Sequence, residues 1–191
     1  MVILLGPPGA GKGTNGKKLA QKYNLKHISA GDILREQYPI GTPERNIIDS
    51  GGLLDPILIG NTIRQYIINN QYNVILDGFP RVYEQLLQII DLPIKHIFIL
   101  EINNEDVLLN RILNRTQCSK CNNIFNTNVI CCDINTYRRS DDVKDIFINR
   151  LNTYNKNITK ILDNLPIKPT KINSLQSIDE VFKDIIDSIN I

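Results

Sequence analysis

Short apolar runs recur along the chain at positions where we expect buried β-strands. They occupy residues 1–5, 25–29, 73–76, 96–100 and 170–173. The runs at 73–76 and 96–100 show no alternation of apolar and polar residues, which is typical of central strands covered on both faces. Because each run is too short for a buried helix, together they predict the strands of one sheet.

The segments between these runs carry apolar residues at helical spacing. We predict helices over residues 16–23, 57–68, 84–90 and 104–115. Ser177 and Glu180 form a capping-box pattern that predicts the start of a C-terminal helix. Strands that alternate with helices predict an α/β fold, here a doubly wound parallel sheet of five strands flanked by helices. Ligands bind at the carboxyl ends of the strands in such folds.

Two stretches interrupt the alternation, near residues 30–55 and near 116–140. Both are rich in turn residues and poor in periodic apolar positions, and we predict that residues 41–56, which contain Gly-Thr-Pro and Gly-Gly, are rich in loops. We interpret both stretches as small excursions over the site. The sequence has no internal repeat or low-complexity tract, so we expect a single domain with insertions.

Composition and charge are those of an ordinary globular domain. Of 191 residues 42% are hydrophobic, and 22 basic and 20 acidic residues leave a net charge of +2. This balance does not indicate a nucleic-acid surface, and no apolar run approaches the roughly 20 residues of a membrane span. A strand that begins at Met1 leaves no room for a signal peptide, so we expect a cytoplasmic protein. No exposed apolar stripe demands a partner, so we expect a monomer.

The first strand is followed by glycines and one lysine in the stretch GPPGAGKGT. Gly6, Gly11 and Lys12 have the spacing of a P-loop, in which backbone N–H groups and a helix N-terminus bind phosphate. The strict pattern has a hydroxyl residue next, but here Gly13 intervenes and the hydroxyl comes one place later, at Thr14. The alternative is a glycine-rich turn with an unrelated lysine. The strand before the stretch and the helical pattern after it favour a nucleoside triphosphate site.

Asp77 and Arg81 follow the third predicted strand. Asp77 closes that strand, where it is placed to hold Mg²⁺ directly or through water, although an aspartate there also suits a turn cap. Arg81 follows Asp-Gly-Phe-Pro, whose glycine and proline fix the direction in which the side chain leaves the strand. Because an arginine fork matches phosphate oxygens, these two residues indicate phosphoryl-transfer chemistry.

Five further arginines strengthen this interpretation. Arg111 and Arg115 are four residues apart and are expected to share one helix face. Arg139 and Arg150 are eleven apart, and a continuous helix would align them as well. Arg35 is a further candidate. Any one of these arginines alone is better explained as a solvated surface charge, but two aligned pairs in a chain with a P-loop favour phosphate binding.

Three motifs resemble those of the adenylate kinase family: GPPGAGKGT at 6–14, ISAGDILR at 28–35 and LDGFPR at 76–81, followed by Gln85. The displaced Thr14 is that family's own variant of the P-loop, and the similarity covers nearly the whole chain. The resemblance implies reversible, Mg²⁺-dependent transfer of the terminal phosphoryl group of ATP to AMP, which gives two ADP.

The resemblance also implies a division of the chain into a core and two mobile parts. The core comprises 1–28, 55–113 and 143–191. We call residues 29–54 the flap segment, which would close over the nucleoside monophosphate, and residues 114–142 the lid segment, which would close over ATP. Closure would exclude water, which otherwise accepts the phosphoryl group. The adenylate kinase lid is itself a standard example of such gating.

Site roles follow from the resemblance position by position. ATP would be bound by Gly9, Ala10, Gly11, Lys12, Gly13, Thr14, Arg115 and Gln176. AMP would be bound by Ala30, Arg35, Gly52, Leu53, Leu54, Gly78, Arg81, Gln85, Arg139 and Arg150. The catalytic set would be Lys12, Asp77, Arg81, Arg111, Arg139 and Arg150. In this scheme Arg111 and Arg139 stabilise the transferring phosphoryl group, and Gln176 contacts the ATP base largely through its main chain.

Two departures from the family pattern concern the acceptor side. Ala30 stands where bacterial adenylate kinases commonly have threonine, and uridylate–cytidylate kinases resemble the chain there. A kinase that accepts UMP or CMP, or uses GTP as donor, is therefore an alternative. Gln85 favours AMP, because its amide pairs with adenine in a way that the shorter asparagine of the pyrimidine enzymes does not. The flap segment also looks a few residues short between Arg35 and Gly51, which leaves its helix content open.

The third departure lies in the lid segment, which holds all four cysteines. Cys118-x-x-Cys121 is the first half of a zinc ribbon, but the second half is Cys131-Cys132-Asp133, with adjacent rather than spaced cysteines. Four sulfurs can close around zinc if the chain bends sharply at Cys131, or Asp133 can replace one of them. The alternative is a decayed site whose cysteines pack or oxidise. A zinc ion would be structural and would not touch the substrates.

Other classes of protein fit less of the sequence. A GTPase switch requires an Asn-Lys-x-Asp motif, and the nearest candidate, at 155–158, lacks the aspartate. A zinc-ribbon nucleic-acid binder explains the cysteines and nearby arginines but not the P-loop or residues 77–81. His27 is better explained as a structural histidine than as a catalytic one, since the accepting phosphate oxygen is already anionic.

Overall fold

All five apolar runs form strands of one parallel sheet in the computed structural model, which describes residues 1–189. The strands are β1 (Val2–Leu5), β2 (Lys26–Ser29), β3 (Val74–Asp77), β4 (His96–Glu101) and β9 (Thr170–Asn173), and their order across the sheet is β2-β3-β1-β4-β9. Every neighbouring pair is parallel. The predicted α/β fold with a five-stranded parallel sheet is confirmed; residues 190 and 191 lie outside the described part.

Both faces of the sheet are buried, as the unbroken apolar runs predict. In β1, Ile3 and Leu5 pack into one hydrophobic cluster, whereas Val2 and Leu4 pack into the cluster on the opposite face. Successive residues of a strand point to opposite faces, so each apolar run supplies both clusters at once. The two clusters hold the strand ends in fixed positions.

Helices cover both faces of the sheet. They are α1 (Lys12–Tyr23), α2 (Ala30–Gln37), α3 (Pro43–Asp49), α4 (Pro56–Asn69), α5 (Tyr83–Leu87), α6 (Glu105–Leu113), α7 (Lys144–Leu162) and α8 (Ile178–Asp187). Helix α8 begins with the predicted capping box, in which Ser177 and Glu180 bond reciprocally. Within residues 1–189, no helix combines the length and the apolar character needed to cross a membrane.

The interpretation of residues 41–56 as loop-rich is wrong for Pro43–Asp49, which form α3; the flap segment also contains α2. Each helix is stabilised by a side-chain cap: Ser29 accepts a hydrogen bond from the backbone N–H of Asp32, and Thr42 from that of Arg45, both at 3.2 Å. Helices of seven or eight residues are too short to show a repeating apolar stripe. The caps, rather than periodicity, are the local signal for these helices.

The lid segment consists of two small antiparallel hairpins. One pairs β5 (Thr116–Gln117) with β6 (Ile124–Phe125), and the other pairs β7 (Ile130–Cys131) with β8 (Ile134–Asn135). The second hairpin turns through Cys132 and Asp133, whose φ angles are 53° and 62°. Two left-handed residues make a tight hairpin turn, so the chain bends sharply immediately after Cys131.

Candidate active site

A cleft of about 520 Å³ opens at the carboxyl ends of β1, β2 and β3, where a parallel sheet is expected to bind its ligand. Seven of the eight residues predicted for ATP line it: Gly9, Gly11, Lys12, Gly13, Thr14, Arg115 and Gln176. Ala10 does not, because its side chain is fully buried in the core. The side chain of Gln176 points away to Asp184, which agrees with an expected main-chain role.

The loop between β1 and α1 has the shape of a phosphate cradle. Gly9 and Gly11 have φ angles of 86° and 85°, which residues with a side chain rarely adopt. Lys12 Nζ donates to the carbonyl oxygens of Gly6 and Pro7, both at 2.9 Å. Burial, together with the positive charges of Arg81 and Arg115, lowers the pKa of Lys12 to about 8 against the opposing effect of Asp77. A partly buried cation in this position is stabilised by a bound anion.

The glycine that breaks the strict P-loop pattern has a steric explanation. A Cβ atom on Gly13 would lie 3.1 Å from Asp77 Oδ2, closer than an ordinary van der Waals contact. Burial raises the pKa of Asp77, but the imidazole of His27 and the charge of Lys12 outweigh this effect and hold the pKa below its usual value. Asp77 is therefore an anionic carboxylate beside the cradle.

Cationic side chains from five parts of the chain meet in the cleft. Arg35, Arg81, Arg111, Arg139 and Arg150 all line it together with the cradle. Loss of solvent and the charges of Arg150 and Arg35 lower the pKa of Arg81 to about 10. Loss of solvent and the charges of Arg35 and Arg115 likewise lower the pKa of Arg139 to about 10. The cationic side chains that line the cleft outnumber its lining carboxylates, Asp32 and Asp77, which favours a highly charged anionic ligand.

The helical alignment of the arginine pairs is wrong, although all four residues reach the cleft. Helix α6 ends at Leu113, so Arg115 follows the helix, and α7 begins at Lys144, so Arg139 precedes it. Arg115 instead pairs with Asp142 through two hydrogen bonds, one of 2.8 Å from Nε to Oδ2. Arg139 is held by the lid segment, where its Nε donates to Gln117 Oε1.

A narrow pocket extends from the cleft between the flap segment and α5. Its lining includes eight of the ten residues predicted for AMP: Ala30, Arg35, Gly52, Leu53, Leu54, Arg81, Gln85 and Arg150. Gly78 and Arg139 line the main cleft instead. Gln85 is buried and its Oε1 accepts a hydrogen bond from the backbone N–H of Arg81 at 2.8 Å, which fixes the orientation of its amide group.

Sequence reasoning missed the acidic residues that orient these arginines. Asp32 Oδ1 accepts from Arg35 Nη2 at 2.5 Å, Asp141 pairs with Arg150 and lies 3.7 Å from Arg35, and the buried Asp142 holds Arg115. The charge of Arg150 and its hydrogen bond keep the pKa of Asp141 low despite burial. The run Arg-Arg-Ser-Asp-Asp at 138–142 was the available signal, because it places two carboxylates beside two arginines.

The four cysteines lie together at the tips of the two hairpins. Their sulfur atoms are all within 4.8 Å of one another, and this cluster does not include Asp133. Cys121 Sγ lies 3.6 Å from Cys131 Sγ, which lies 3.8 Å from Cys132 Sγ. Backbone N–H groups of the Cys118–Cys121 turn lower the pKa of Cys118 to about 7. The tight turn after Cys131 brings Cys131 and Cys132 together with Cys118 and Cys121.

The parallel sheet, the phosphate cradle and the facing arginines define a nucleotide-binding phosphotransferase of the α/β class. Residues 4–168 match the family model for adenylate kinase. The chain is 33% identical to an adenylate kinase of Elusimicrobium minutum, covering 100% of this chain and 98% of the relative. It is 35% identical to the enzyme of Ureaplasma urealyticum over 96% and 95% of the two chains, and 35% to that of Rickettsia africae over 85% of each. The chain belongs to the adenylate kinase family.

Proposed function

We propose that this protein transfers the terminal phosphoryl group of ATP reversibly to AMP, giving two ADP. The observation that carries the proposal is the juxtaposition of the cradle with an arginine-lined pocket whose end is closed by the oriented amide of Gln85. A cradle alone serves many nucleotide-binding proteins. A second, narrower anion site with a buried amide is what a nucleoside monophosphate requires as the acceptor.

The positions of most predicted site residues in the cleft and the acceptor pocket support the roles proposed for them. Lys12 and the cradle amides would bind the donor phosphates with Arg115, while Arg35, Arg81 and Arg150 would hold the phosphate of AMP. Arg111 and Arg139 would neutralise the charge that spreads over the phosphoryl group during transfer. No general base is needed, because the attacking oxygen of AMP is already an anion. Catalysis therefore depends on positioning and charge.

Mg²⁺ is expected beside Asp77. This carboxylate is partly buried, anionic and adjacent to Gly13 and Lys12, and a hard oxygen ligand of this kind suits Mg²⁺, which usually retains several waters. Bound there, the ion would neutralise donor phosphate charge. Asp77 would hold it through water or directly.

The flap and lid segments are proposed to open and close during the cycle. The acceptor pocket measures about 30 Å³, which is room for only one or two waters, so a base enters only if the flap segment moves. Arg139 of the lid segment already reaches the flap segment, where it lies 3.3 Å from Asp32. Closure would bring the two substrates together and keep water from the phosphoryl group.

A structural zinc ion is proposed for the four cysteines. Tetrahedral zinc with Zn–S bonds of about 2.3 Å separates its sulfurs by roughly 3.8 Å, close to the distances of Cys131 from Cys121 and Cys132. A zinc ion would link the two hairpins, which otherwise have only short strands. Cys118, Cys121, Cys131 and Cys132 are the proposed ligands, rather than a set that includes Asp133.

A coupled assay of the purified protein with ATP and each of AMP, CMP, UMP and GMP tests the proposal. We expect turnover with AMP to exceed that with the other acceptors by at least tenfold. Preference for UMP or CMP would support the alternative raised by Ala30, and no turnover with AMP would refute the proposal. A cytoplasmic monomer that does not bind nucleic acid remains our prediction, and sedimentation analysis tests its oligomeric state.

A further inference from the structure

Lys17 connects the helix that follows the cradle to the lid segment. It lies in α1 on the turn after Lys12, and its Nζ donates hydrogen bonds to the backbone carbonyl oxygens of Cys121, at 3.3 Å, and Asn122. These carbonyls belong to the turn that carries the first two cysteines. A side chain of the core thus binds the tip of the lid segment across more than 100 residues of sequence.

The lid segment also packs against α1 at this point. A Cβ atom on Gly13 would lie 3.4 Å from Ile124 Cδ1, so Ile124 rests on the first turn of the helix. Lys17, Asn122 and Ile124 line the same cleft as the cradle. The contact therefore covers the donor half of the site.

A chain of hydrogen bonds continues from this contact to Arg139, which reaches Asp32 of the flap segment. Asn122 Oδ1 accepts from Gln117 Nε2 at 2.9 Å, and Gln117 Oε1 accepts from Arg139 Nε. Gln117 is buried, so these bonds are shielded from water. Displacement of the turn that Lys17 holds would displace Asn122 and with it the support of Arg139.

We propose that Lys17 is a positioning residue that fixes the closed lid segment on the donor half of the site, and thereby supports Arg139. This inference rests on the proposed function for its kinetic consequences but not for the contact itself. The Lys17 ammonium donates to backbone carbonyls of the lid segment, whereas that of Lys12 donates to carbonyls of the cradle. We therefore assign Lys17 to holding the lid segment and Lys12 to binding phosphate. Hydrogen bonds from a charged donor are the stronger kind, so their loss should be measurable.

Substitution of Lys17 by methionine tests the proposal, because methionine keeps an unbranched apolar stem and removes the donor. Lys18→Met is the matched control: Lys18 is the next residue of α1 but pairs with Asp179, at 2.5 Å, in the first turn of α8. We expect Lys17→Met to raise the KM for ATP by roughly tenfold, equivalent to about 1.4 kcal/mol. Because Arg139 loses support, kcat should also fall, and the KM for AMP should rise by less than the KM for ATP. Lys17→Arg should recover part of the effect, and Lys18→Met should change none of these constants.

Hydrogen exchange of the substrate-free proteins gives a second readout that does not depend on turnover. Amides of residues 116–137 should exchange faster in Lys17→Met than in the wild type, while the sheet amides keep their protection. Unchanged lid exchange together with an unchanged KM for ATP would overturn the proposal. An equal rise in both KM values with faster exchange throughout the chain would also overturn it, since that result marks general destabilisation. Failure of the wild type to phosphorylate AMP would refute the proposed function. The exchange comparison would then decide by itself whether Lys17 holds the lid segment.

Discussion

Arg139 Nη2 of the lid segment lies 3.3 Å from Asp32 Oδ1 of the flap segment. The same carboxylate oxygen accepts from Arg35 Nη2 at 2.5 Å, so one aspartate orients two arginines from opposite sides of the cleft. Charge from both arginines, together with hydrogen bonds from Arg35 and Ser29, keeps the pKa of Asp32 low although burial opposes this. Asp32 therefore preorganises positive charge where phosphate is expected.

Asp32→Asn should lower kcat by roughly tenfold or more, because the neutral amide does not hold two guanidinium groups in a fixed orientation; tenfold corresponds to about 1.4 kcal/mol in the barrier. Steady-state assays with both substrates saturating measure the change. Asp49→Asn is the control, since Asp49 pairs with Arg45 at 2.9 Å within the same segment. Equal kcat values for the two variants would contradict an orienting role for Asp32.

Gln85→Leu should raise the KM for AMP by roughly 10- to 100-fold and leave the KM for ATP within about twofold. The substitution is close in size but removes the amide that would recognise the base, and a site built to hydrogen-bond its substrate loses affinity strongly without the bond. Gln88→Ala, one turn further on and outside the acceptor pocket, serves as the control. A loss of ATP and AMP affinity in equal measure would argue against base recognition by Gln85.

The proposed zinc site predicts one zinc per chain by metal analysis. Cys131→Ser should lose the zinc and lower the melting temperature, because the two hairpins are no longer linked through the metal. Asp133→Asn should retain zinc, since Asp133 is not part of the sulfur cluster. Retention of zinc in Cys131→Ser with loss in Asp133→Asn would show that the ligand set is wrong.

The lowered pKa of Lys12 predicts a pH dependence on the donor side. Because the folded-state pKa is about 8, rather than the ordinary 10.5, the free enzyme loses this charge as the pH rises through 8. Three charged groups act on Lys12: Asp77 raises its pKa, whereas Arg81 and Arg115 lower it. We expect kcat/KM for ATP to fall above about pH 8 while kcat changes less, since bound phosphates restore the proton. A flat kcat/KM profile up to pH 10 would contradict this assignment.

His27 is expected to position Asp77. Its Nε2 is buried, lies 3.4 Å from Asp77 Oδ2 and makes no other polar contact among the described residues. His27→Leu should therefore raise the Mg²⁺ concentration needed for half-maximal rate by about three- to tenfold, while His27→Gln, which keeps a donor, should restore much of the loss. His96→Leu, at the opposite end of the sheet, is the control. An unchanged Mg²⁺ requirement in His27→Leu would leave His27 a purely structural residue.

The sheet could be predicted from sequence because strands such as β1 and β4 are buried on both faces and so form unbroken apolar runs. The cradle could be predicted because its chemistry is local, from Gly6 to Thr14. Helices α2 and α3 could not, since each is too short for a periodic pattern and depends on a cap.

Pairings that form only in the folded chain were also out of reach. Arg115 and Asp142 are 27 residues apart, and Arg139 and Asp32 are 107 apart, so no spacing rule connects them. Whether the adjacent cysteines could join the spaced pair stayed open in the sequence, because the left-handed turn at Cys132 and Asp133 contains no glycine that would indicate it. The two ion pairs and the cysteine cluster all join residues that meet only when the chain folds.

The central claim is that two nucleotide sites face each other and exchange one phosphoryl group. The most direct test is to incubate the purified protein with Mg²⁺ and ADP alone and to quantify all nucleotides by ³¹P NMR. We predict that ATP and AMP appear in equal amounts without inorganic phosphate, and that Lys12→Met abolishes the conversion. Persistence of ADP, or release of inorganic phosphate in place of AMP and ATP in equal amounts, would contradict the claim.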